Sequence, residues 1–492
     1  MTDESLKEEI LINVTSSEVR AALLENGVLQ EVYIERAARR GLISNIYKGR
    51  VMRVLPGMQA AFIDIGLART AFLHASDIVA NPERSDSSES PDIRDLVREG
   101  DEIMAQVVKD PLGNKGARLT TYITLPSRHL VLLPHTDTVG ISARIEDEEE
   151  RERLRLIIEE ILAEHSLSCG AIVRTVAEGT YKDTLVADLK YTLRLWEVVK
   201  ERCSKASVKT LVHEDLSLPL RVLRDMVTSD IERILVDSKE DFDAMKEFAD
   251  TYLPGIHPQL ELYRRRRPIF DLHGIEDEIR KSLDRSIPLK SGGYIIFDQT
   301  EAMTTVDVNT GGYVGHRNLE ETIFRTNLEA AVAIARQLRL RNLGGIIIID
   351  FIDMEEPDHR ENVLQVLGQS LARDHARHQI STVSPLGLVE MSRKRTRESL
   401  QHVLCEDCPS CSGRGFVMTA ETVCFEIFRE IIRQSRQFEF DEVLVLAHQD
   451  VIELLLDEQA RSLGELEEQT GKSIRLQTES LYLQDQFDVV LM

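Results

Sequence analysis

No apolar run in this 492-residue chain approaches the roughly 18 residues that a membrane span requires. The longest candidate, Gly344-Gly345-Ile346-Ile347-Ile348-Ile349, meets Asp350 and ends. The first ten residues, MTDESLKEEI, are acidic and polar, so a signal peptide is not expected. Cysteine is sparse, at six residues, and three of these crowd between Cys405 and Cys411. A secreted disulfide framework is not distributed like that, so a cytoplasmic protein with no stable membrane anchor is expected, and a metal site rather than a disulfide. Positive charge is also in deficit, with 60 Lys and Arg against 84 Asp and Glu, a net charge of −24. Taken alone, that argues against nucleic acid as a partner. Residues 416–492, however, hold 16 acidic and 6 basic side chains, so −10 of the total sits there. The rest is spread thinly over 415 residues and leaves room for local cationic sites.

What is present fits a soluble multidomain protein of three to five folding units, 42% hydrophobic and 29% charged. The first 40 residues alternate strand-like runs, Ile10 to Val14 and Leu29 to Ile34, with a hairpin signal at Glu25-Asn26-Gly27. Short strands with Gly and Pro turns between Ile46 and His74 predict a small barrel, resumed at Asp101 to Lys109 after a polar insertion, Ser85 to Ser90. Tyr122 to Leu216 mixes strands and helices, including an amphipathic helix over Glu146 to Glu164. Residues 219–282 read as largely helical. From Ser291 to Glu390 the pattern is α/β: strands at Tyr294 to Asp298 and Ala302 to Val308, a helix at Leu319 to Arg341, and a buried strand at Ile346 to Ile349. The last 77 residues predict a separate small α/β domain. No fixed-period repeat is present.

Two strands carry the most informative pattern. Thr304-Thr305-Val306-Asp307-Val308-Asn309 and Ile346-Ile347-Ile348-Ile349-Asp350 each end an apolar run with a carboxylate, and a helix joins them. A β-α-β unit makes such strands neighbours, so Asp307 and Asp350 could share one hard cation. Mg²⁺ there would suit in-line cleavage of a phosphodiester, with Asn309 orienting the phosphate. The plainer alternative is that these residues cap turns. The run Cys405-Glu406-Asp407-Cys408-Pro409-Ser410-Cys411 resembles a zinc knuckle but offers at most three of four ligands, so completion from another copy is attractive. The alternative is three free thiols. Lys48, Arg50 and Arg53 alternate near Phe62 and Phe72, the combination by which barrels hold single strands, although composition alone favours both Phe residues as core. Further basic clusters, at Arg264 to Arg267 and at Arg393-Lys394-Arg395 with Arg397, could be phosphate-facing or merely solvated.

Together with Asn45-Ile46-Tyr47-Lys48-Gly49-Arg50, Ala60-Ala61-Phe62-Ile63-Asp64-Ile65-Gly66, Arg336-Gln337-Leu338-Arg339-Leu340-Arg341 and Cys408-Pro409-Ser410-Cys411, these motifs make the whole chain closely resemble the ribonuclease E/G family. The resemblance implies a Mg²⁺-dependent endoribonuclease that cuts single-stranded, AU-rich RNA, leaves 5′-phosphate products and is stimulated by a 5′-monophosphate end. It implies a multidomain α+β and α/β chain. An RNase H-like fold (residues 1–40 and 219–282) is split around an OB-fold barrel (41–122) and a 5′-sensor domain (123–218). A DNase I-like catalytic domain (283–404), a zinc link (405–415) and a small dimerisation domain (416–492) follow.

By resemblance, Asp307 and Asp350 hold Mg²⁺ with Asn309 beside them, and Cys408 and Cys411 share Zn²⁺ between two protomers of a homodimer or of a dimer of dimers. Phe62, Phe72 and Lys115 grip RNA, while Arg174 and Thr175, with Val131 lining and Arg377 supporting, read the 5′-phosphate. From the residues alone Arg174 reads as an ordinary surface side chain. The chain stops at Met492 without a long Pro- or Arg-rich tail, which suggests the shorter family members, linked to ribosomal RNA precursor maturation and messenger RNA turnover. A non-catalytic RNA-binding protein and a filament-forming structural protein are the alternatives; the intact Asp, Asn and Asp set disfavours both.

Overall fold

A computed structural model describes residues 7–39, 41–79, 92–111, 116–164, 167–227, 231–252, 259–311, 319–395 and 397–492. Lys115 and the insertion expected at Ser85 to Ser90 lie outside the described residues. The chain forms two compact units, 1–400 and 401–492.

The first unit begins with an antiparallel meander of β1 (Glu8–Val14), β2 (Glu18–Glu25) and β3 (Val28–Arg36). Asn26 and Gly27 both have positive φ, 49° and 77°, the pair of left-handed residues that a tight type I′ hairpin turn needs. Strands β4 (Ile46–Leu55), β5 (Ala60–Asp64), β6 (Ala71–His74), β7 (Glu102–Lys109) and β8 (Arg118–Thr120) follow in the order β4-β5-β6-β8-β7. Strand β7 pairs back onto β4, so the sheet closes into a barrel filled by Val51, Ala61, Ile63, Leu73, Ala105 and Leu119.

A four-stranded sheet comes next: β9 (Leu125–Pro126), β10 (Leu130–Leu133), β11 (Val139–Ile141) and β12 (Gly170–Val173). It packs with helices α1 (Glu148–Glu164) and α2 (Lys182–Lys205). Leu154, Ile158 and Ile161 recur at helical spacing on α1 and are its buried stripe. Strand β13 (Thr210–His213) then returns to the barrel and pairs with β4.

The stretch read as largely helical holds α3 (Leu218–Asp225) and α4 (Lys239–Tyr252), but two strands interrupt it. These are β14 (Ile231–Val236) and β15 (Gln259–Leu262), and they complete a five-stranded sheet in the order β15-β14-β1-β2-β3. Strand β14 lies parallel to β1, with Ile10 opposite Ile234, so residues more than 200 positions apart share one core. A pairing that distant leaves no local signal in a six-residue strand.

The remaining sheet of this unit contains β16 (Ser286–Pro288), β17 (Tyr294–Gln299), β18 (Met303–Asn309), β19 (Gly345–Asp350), β20 (His378–Val383) and β21 (Leu388–Arg393), in the order β16-β17-β18-β19-β21-β20. Helices α5 (Leu319–Leu340) and α6 (Pro357–Leu371) cover one face, burying Val306, Val308, Ile347, Ile349 and Leu338. The isoleucine run is therefore not buried on both sides: Ile347 and Ile349 are fully covered, but Ile346 is 52% exposed on the opposite face.

The motif Arg336-Gln337-Leu338-Arg339-Leu340-Arg341 joins α5 to the first sheet. Arg336 donates to the Leu29 carbonyl at 3.0 Å and to Glu278 at 2.6 Å. Buried Arg339 meets Glu25 at 2.9 Å and Glu31 at 3.0 Å. Removing one partner from such a buried network costs about 3–5 kcal/mol, because an uncompensated charge stays behind.

The second unit packs α7 (Ala420–Gln437), α8 (Gln449–Leu456) and α9 (Ala460–Thr470) with strands β22 (Glu442–Ala447), β23 (Ser473–Thr478) and β24 (Phe487–Leu491), in the order β23-β22-β24. Val423, Ile427, Val443, Val445 and Leu455 form its core. Among the described residues of both units, no helix is long and apolar enough to cross a membrane.

Candidate active site

Strands β18 and β19 run parallel with α5 between them, and their register places Asp307 directly opposite Asp350. Alternation along each strand puts Val306, Val308, Ile347 and Ile349 against the helices, so both carboxylates project from the exposed face. They are therefore not turn caps. Asn309 lies two residues beyond Asp307 on the same face and donates from Nδ2 to Asp307 Oδ2 at 2.8 Å. Burial raises the Asp350 carboxyl above the usual range, and the negative charges of Asp307 and Asp353 raise it further. Like charges gathered in this way invite a cation between them. A hard cation held by one or two carboxylates takes water and phosphate at its other positions.

One residue the sequence reading passed over holds this arrangement. Asn327 is fully buried on α5, donates to the Ile352 carbonyl at 2.7 Å and accepts from the Ile352 N–H at 3.1 Å. It fixes both backbone groups of the residue lying between Asp350 and Asp353. A signal was present: Asn327 falls on the apolar stripe of Ile323, Ala330, Ile334 and Leu338, where a polar side chain has to find a partner.

On the barrel, Phe62 and Phe72 are cross-strand partners, with ring centroids 6.2 Å apart in an edge-on arrangement. Both are half-buried and lie outside the barrel core, against the reading that favoured them as core residues. Arg50 and Arg53 are exposed on β4. Lys48 is more committed: it bonds the Ala206 carbonyl at 3.1 Å and pairs with Glu102 at 3.2 Å.

In the neighbouring sheet Arg174 directly follows β12. Its Nη1 donates to the Ser127 carbonyl at 2.6 Å and to Asp225 at 2.8 Å, which leaves Nε and Nη2 without partners among the described residues. Thr175 Oγ1 lies 2.9 Å from Ser142 Oγ, and half-buried Val131 stands opposite Ile172. Arg377 is exposed just before β20. Arg144, after β11, donates to the carbonyls of Asp374 and His375, which brings this sheet against the segment that carries Arg377.

The basic clusters part company. Arg264 to Arg267 are exposed, whereas Arg393 is buried, bonding Asp374 at 2.6 and 2.9 Å and the Leu343 carbonyl at 2.6 Å. Arg393 is thus structural rather than part of a solvated face. Arg397 lies over the Tyr33 ring at 3.6 Å. In the second unit Cys405 and Cys408 are exposed and Cys411 is buried. The amides of Cys411 and Ser410 point at the Cys408 sulfur and hold its thiol below the ordinary value, and the Gly415 amide lies 3.3 Å from the Cys411 sulfur. The amides aimed at the Cys408 sulfur favour its thiolate, the form that ligates metal.

Comparison with known proteins places the chain in a family. Residues 124–396 match the model of the ribonuclease E/G family, residues 43–121 that of the S1 RNA binding domain, and residues 407–491 that of the RNase E/G thioredoxin-like domain. Ribonuclease G of Escherichia coli K12 is 55% identical over 489 residues, 98% of this chain and 99% of that protein. Ribonuclease G of Haemophilus influenzae is 53% identical over 490 residues, 98% of this chain and 99% of that one. Ribonuclease E of Escherichia coli K12 is 37% identical over 465 residues, 93% of this chain but 43% of its own length. With more than half of its length inside the family model and full-length relatives at 53% and 55% identity, the chain belongs to the ribonuclease E/G family.

Proposed function

We propose that this endoribonuclease, of the ribonuclease G type, hydrolyses internal phosphodiester bonds of single-stranded, AU-rich RNA at Asp307 and Asp350, using Mg²⁺ and leaving 5′-phosphate products. The observation that carries the reading is the register pair of Asp307 and Asp350 on the exposed sheet face. Oxygen donors alone, two carboxylates and a raised Asp350 fit a hard divalent cation better than a soft one. When bound, Mg²⁺ would lower the pKa of an attacking water and offset charge on the phosphate. Asn309 spends one amide hydrogen on Asp307, which fixes that carboxylate, and keeps the other to orient a phosphate oxygen. Asn327 holds the backbone behind them.

RNA reaches this centre across the barrel, where Phe62 and Phe72 offer faces for stacking and Lys48, Arg50 and Arg53 supply positive charge. The Nε and Nη2 of Arg174, without partners among the described residues, suit a terminal phosphate, since a guanidinium can bind two oxygens at once. Thr175 and Val131 line that pocket, Arg377 supports it, and cleavage is faster on RNA with a 5′-monophosphate end. The thiolates of Cys408 and Cys411 hold Zn²⁺ with the same pair from a second protomer. The biological substrates are the ribosomal RNA precursor and messenger RNA, in the cytoplasm.

The test is a short AU-rich RNA carrying a 5′-monophosphate or a 5′-hydroxyl, incubated with Mg²⁺ or EDTA. Internal cleavage that needs Mg²⁺ and disappears in Asp307→Asn, with RNA affinity kept, supports the assignment. Loss of RNA binding together with cleavage would count against it.

A further inference from the structure

Beside the two aspartates the sheet carries a cleft with no role in the scheme above. It has a volume of about 330 Å³, within the ~300–1,000 Å³ typical of small-ligand sites. One wall is the loop after β19, with Asp353 and Met354, another is the turn between β20 and β21, with Pro385 and Leu386, and α6 supplies Arg360 and Val363. We infer that this cleft is the subsite for the base of a nucleotide flanking the scissile phosphate. The inference rests on reading Asp307 and Asp350 as the cleavage centre.

Position is the first argument. Leu388 pairs in register with Asp350, so the turn that ends at Leu388 stands at the same end of the sheet as the catalytic carboxylates. Asp353, three residues after Asp350, lines the cleft. The turn comes so close to that loop because residue 387 is glycine: its φ is +84°, and a Cβ there would lie 3.3 Å from Asp353 Oδ1. A nucleotide that flanks a phosphate held on Asp350 would find this cleft at the same end of the sheet.

Chemistry selects which part of that nucleotide enters. The lining mixes apolar side chains such as Met354, Pro385 and Leu386 with polar groups, and the charge of Asp353 repels a phosphate, so the neutral base is the part that fits. A base presents flat apolar faces with a polar edge, and enzymes hold bases between apolar side chains while bonding that edge. The edge has partners here. Ser384 Oγ accepts from the Leu388 N–H at 3.2 Å and keeps its hydroxyl hydrogen to donate. Arg360 spends Nε and Nη2 on the Met354 carbonyl, and its Nη1 has no partner among the described residues. At the mouth, Leu386 is 84% exposed, a large apolar side chain that the fold itself does not cover. Covering it with a base would remove that surface from water.

Because Leu386 is exposed, its replacement tests the cleft without unsettling the core. The substrates are one cleavable 5′-monophosphorylated RNA and two derivatives, each lacking the base on one side of the scissile bond. The enzymes are the parent, Leu386→Ser and Leu386→Met, compared by kcat/KM with Mg²⁺. In the parent, loss of the base at one of these positions lowers kcat/KM by roughly tenfold, the usual scale of a single base contact. Leu386→Ser slows the complete RNA to a similar extent but matches the parent on that base-lacking RNA, while Leu386→Met behaves as the parent does. If Leu386→Ser changes all three RNAs by one common factor, or none of them, the subsite is overturned while the cleavage centre stands. If the parent shows no Mg²⁺-dependent cleavage at all, the reading of Asp307 and Asp350 falls, and the inference falls with it.

Discussion

Replacing Asn327 with alanine separates positioning from chemistry. The side chain is fully buried and touches no solvent-facing carboxylate; its two hydrogen bonds, 2.7 and 3.1 Å, both go to the backbone of Ile352. Each contributes on the order of 0.5–1.5 kcal/mol, and unpaired buried groups raise the cost, so a loss of about 2–3 kcal/mol of stability is expected. That lowers the denaturant midpoint without unfolding the enzyme. Freed from α5, the segment from Asp350 to Asp353 loses its registration with Asp307, and misplacement by about 1 Å can cost ~10²-fold in rate. We expect kcat to fall by about 10- to 100-fold while KM for RNA stays within about twofold. Asn327→Asp should not rescue, because an acceptor-only carboxylate would face the Ile352 carbonyl. The assay is steady-state kinetics on a short RNA, with urea unfolding of the same samples. A variant that loses the expected stability yet keeps the parental kcat would refute the positioning role.

Three further outcomes follow from the same geometry. Phe62→Ala should weaken binding of single-stranded RNA by about 1–3 kcal/mol with little change in stability, since the ring lies outside the barrel core; unchanged affinity in a fluorescence titration would count against the stacking role. Burial pushes the Asp374 carboxyl up, but the Arg393 fork outweighs it and holds the carboxyl below its ordinary value. This stabilisation is therefore complete above the unfolded value of about 4 and is lost as pH falls through the lower folded value, so Asp374→Asn should cost about 3–5 kcal/mol at neutral pH and flatten the acid limb of the stability profile. Equal acid sensitivity of parent and variant would contradict it. Cys408→Ser should release zinc and weaken self-association, as judged by metal content and sedimentation; an unchanged dimer would remove the shared site.

The pairing of Asp307 with Asp350 was legible because two apolar strands and one helix of the right length leave few ways to connect. Which face the carboxylates occupy was not. Four consecutive isoleucines look buried on both sides, and only the placement of both helices on one face leaves Ile346 exposed. The Phe62 and Phe72 pair shows the same gap. Alternation assigns them a common face, but only the barrel, already filled by Ala61, Ile63 and Leu73, decides that this face is outside. Arg393 sat in a basic run that looked solvated, and its carboxylate partner 19 residues earlier reverses that. Arg174 gave no sign of the role proposed for it, because the Asp225 and Ser127 that orient it lie 51 and 47 positions away. Asn327 was readable in principle, as a polar residue on an apolar stripe.

The insertion of β14 beside β1 has a consequence for how the protein is born. Asn13 bonds Asp237 across 224 positions, so the strand that covers the inner edge of the N-terminal meander is made long after that meander leaves the ribosome. At about 5–20 residues per second, the delay is roughly 10–45 seconds. During that interval β1 presents unpaired N–H and C=O groups, a template on which a neighbouring nascent chain could add a strand. The Glu8-Glu9 pair at its start places negative charge on that open edge, and the barrel has time to close while the edge waits. Chains interrupted before Val236 would keep the edge permanently, which makes them the aggregation-prone products of this gene.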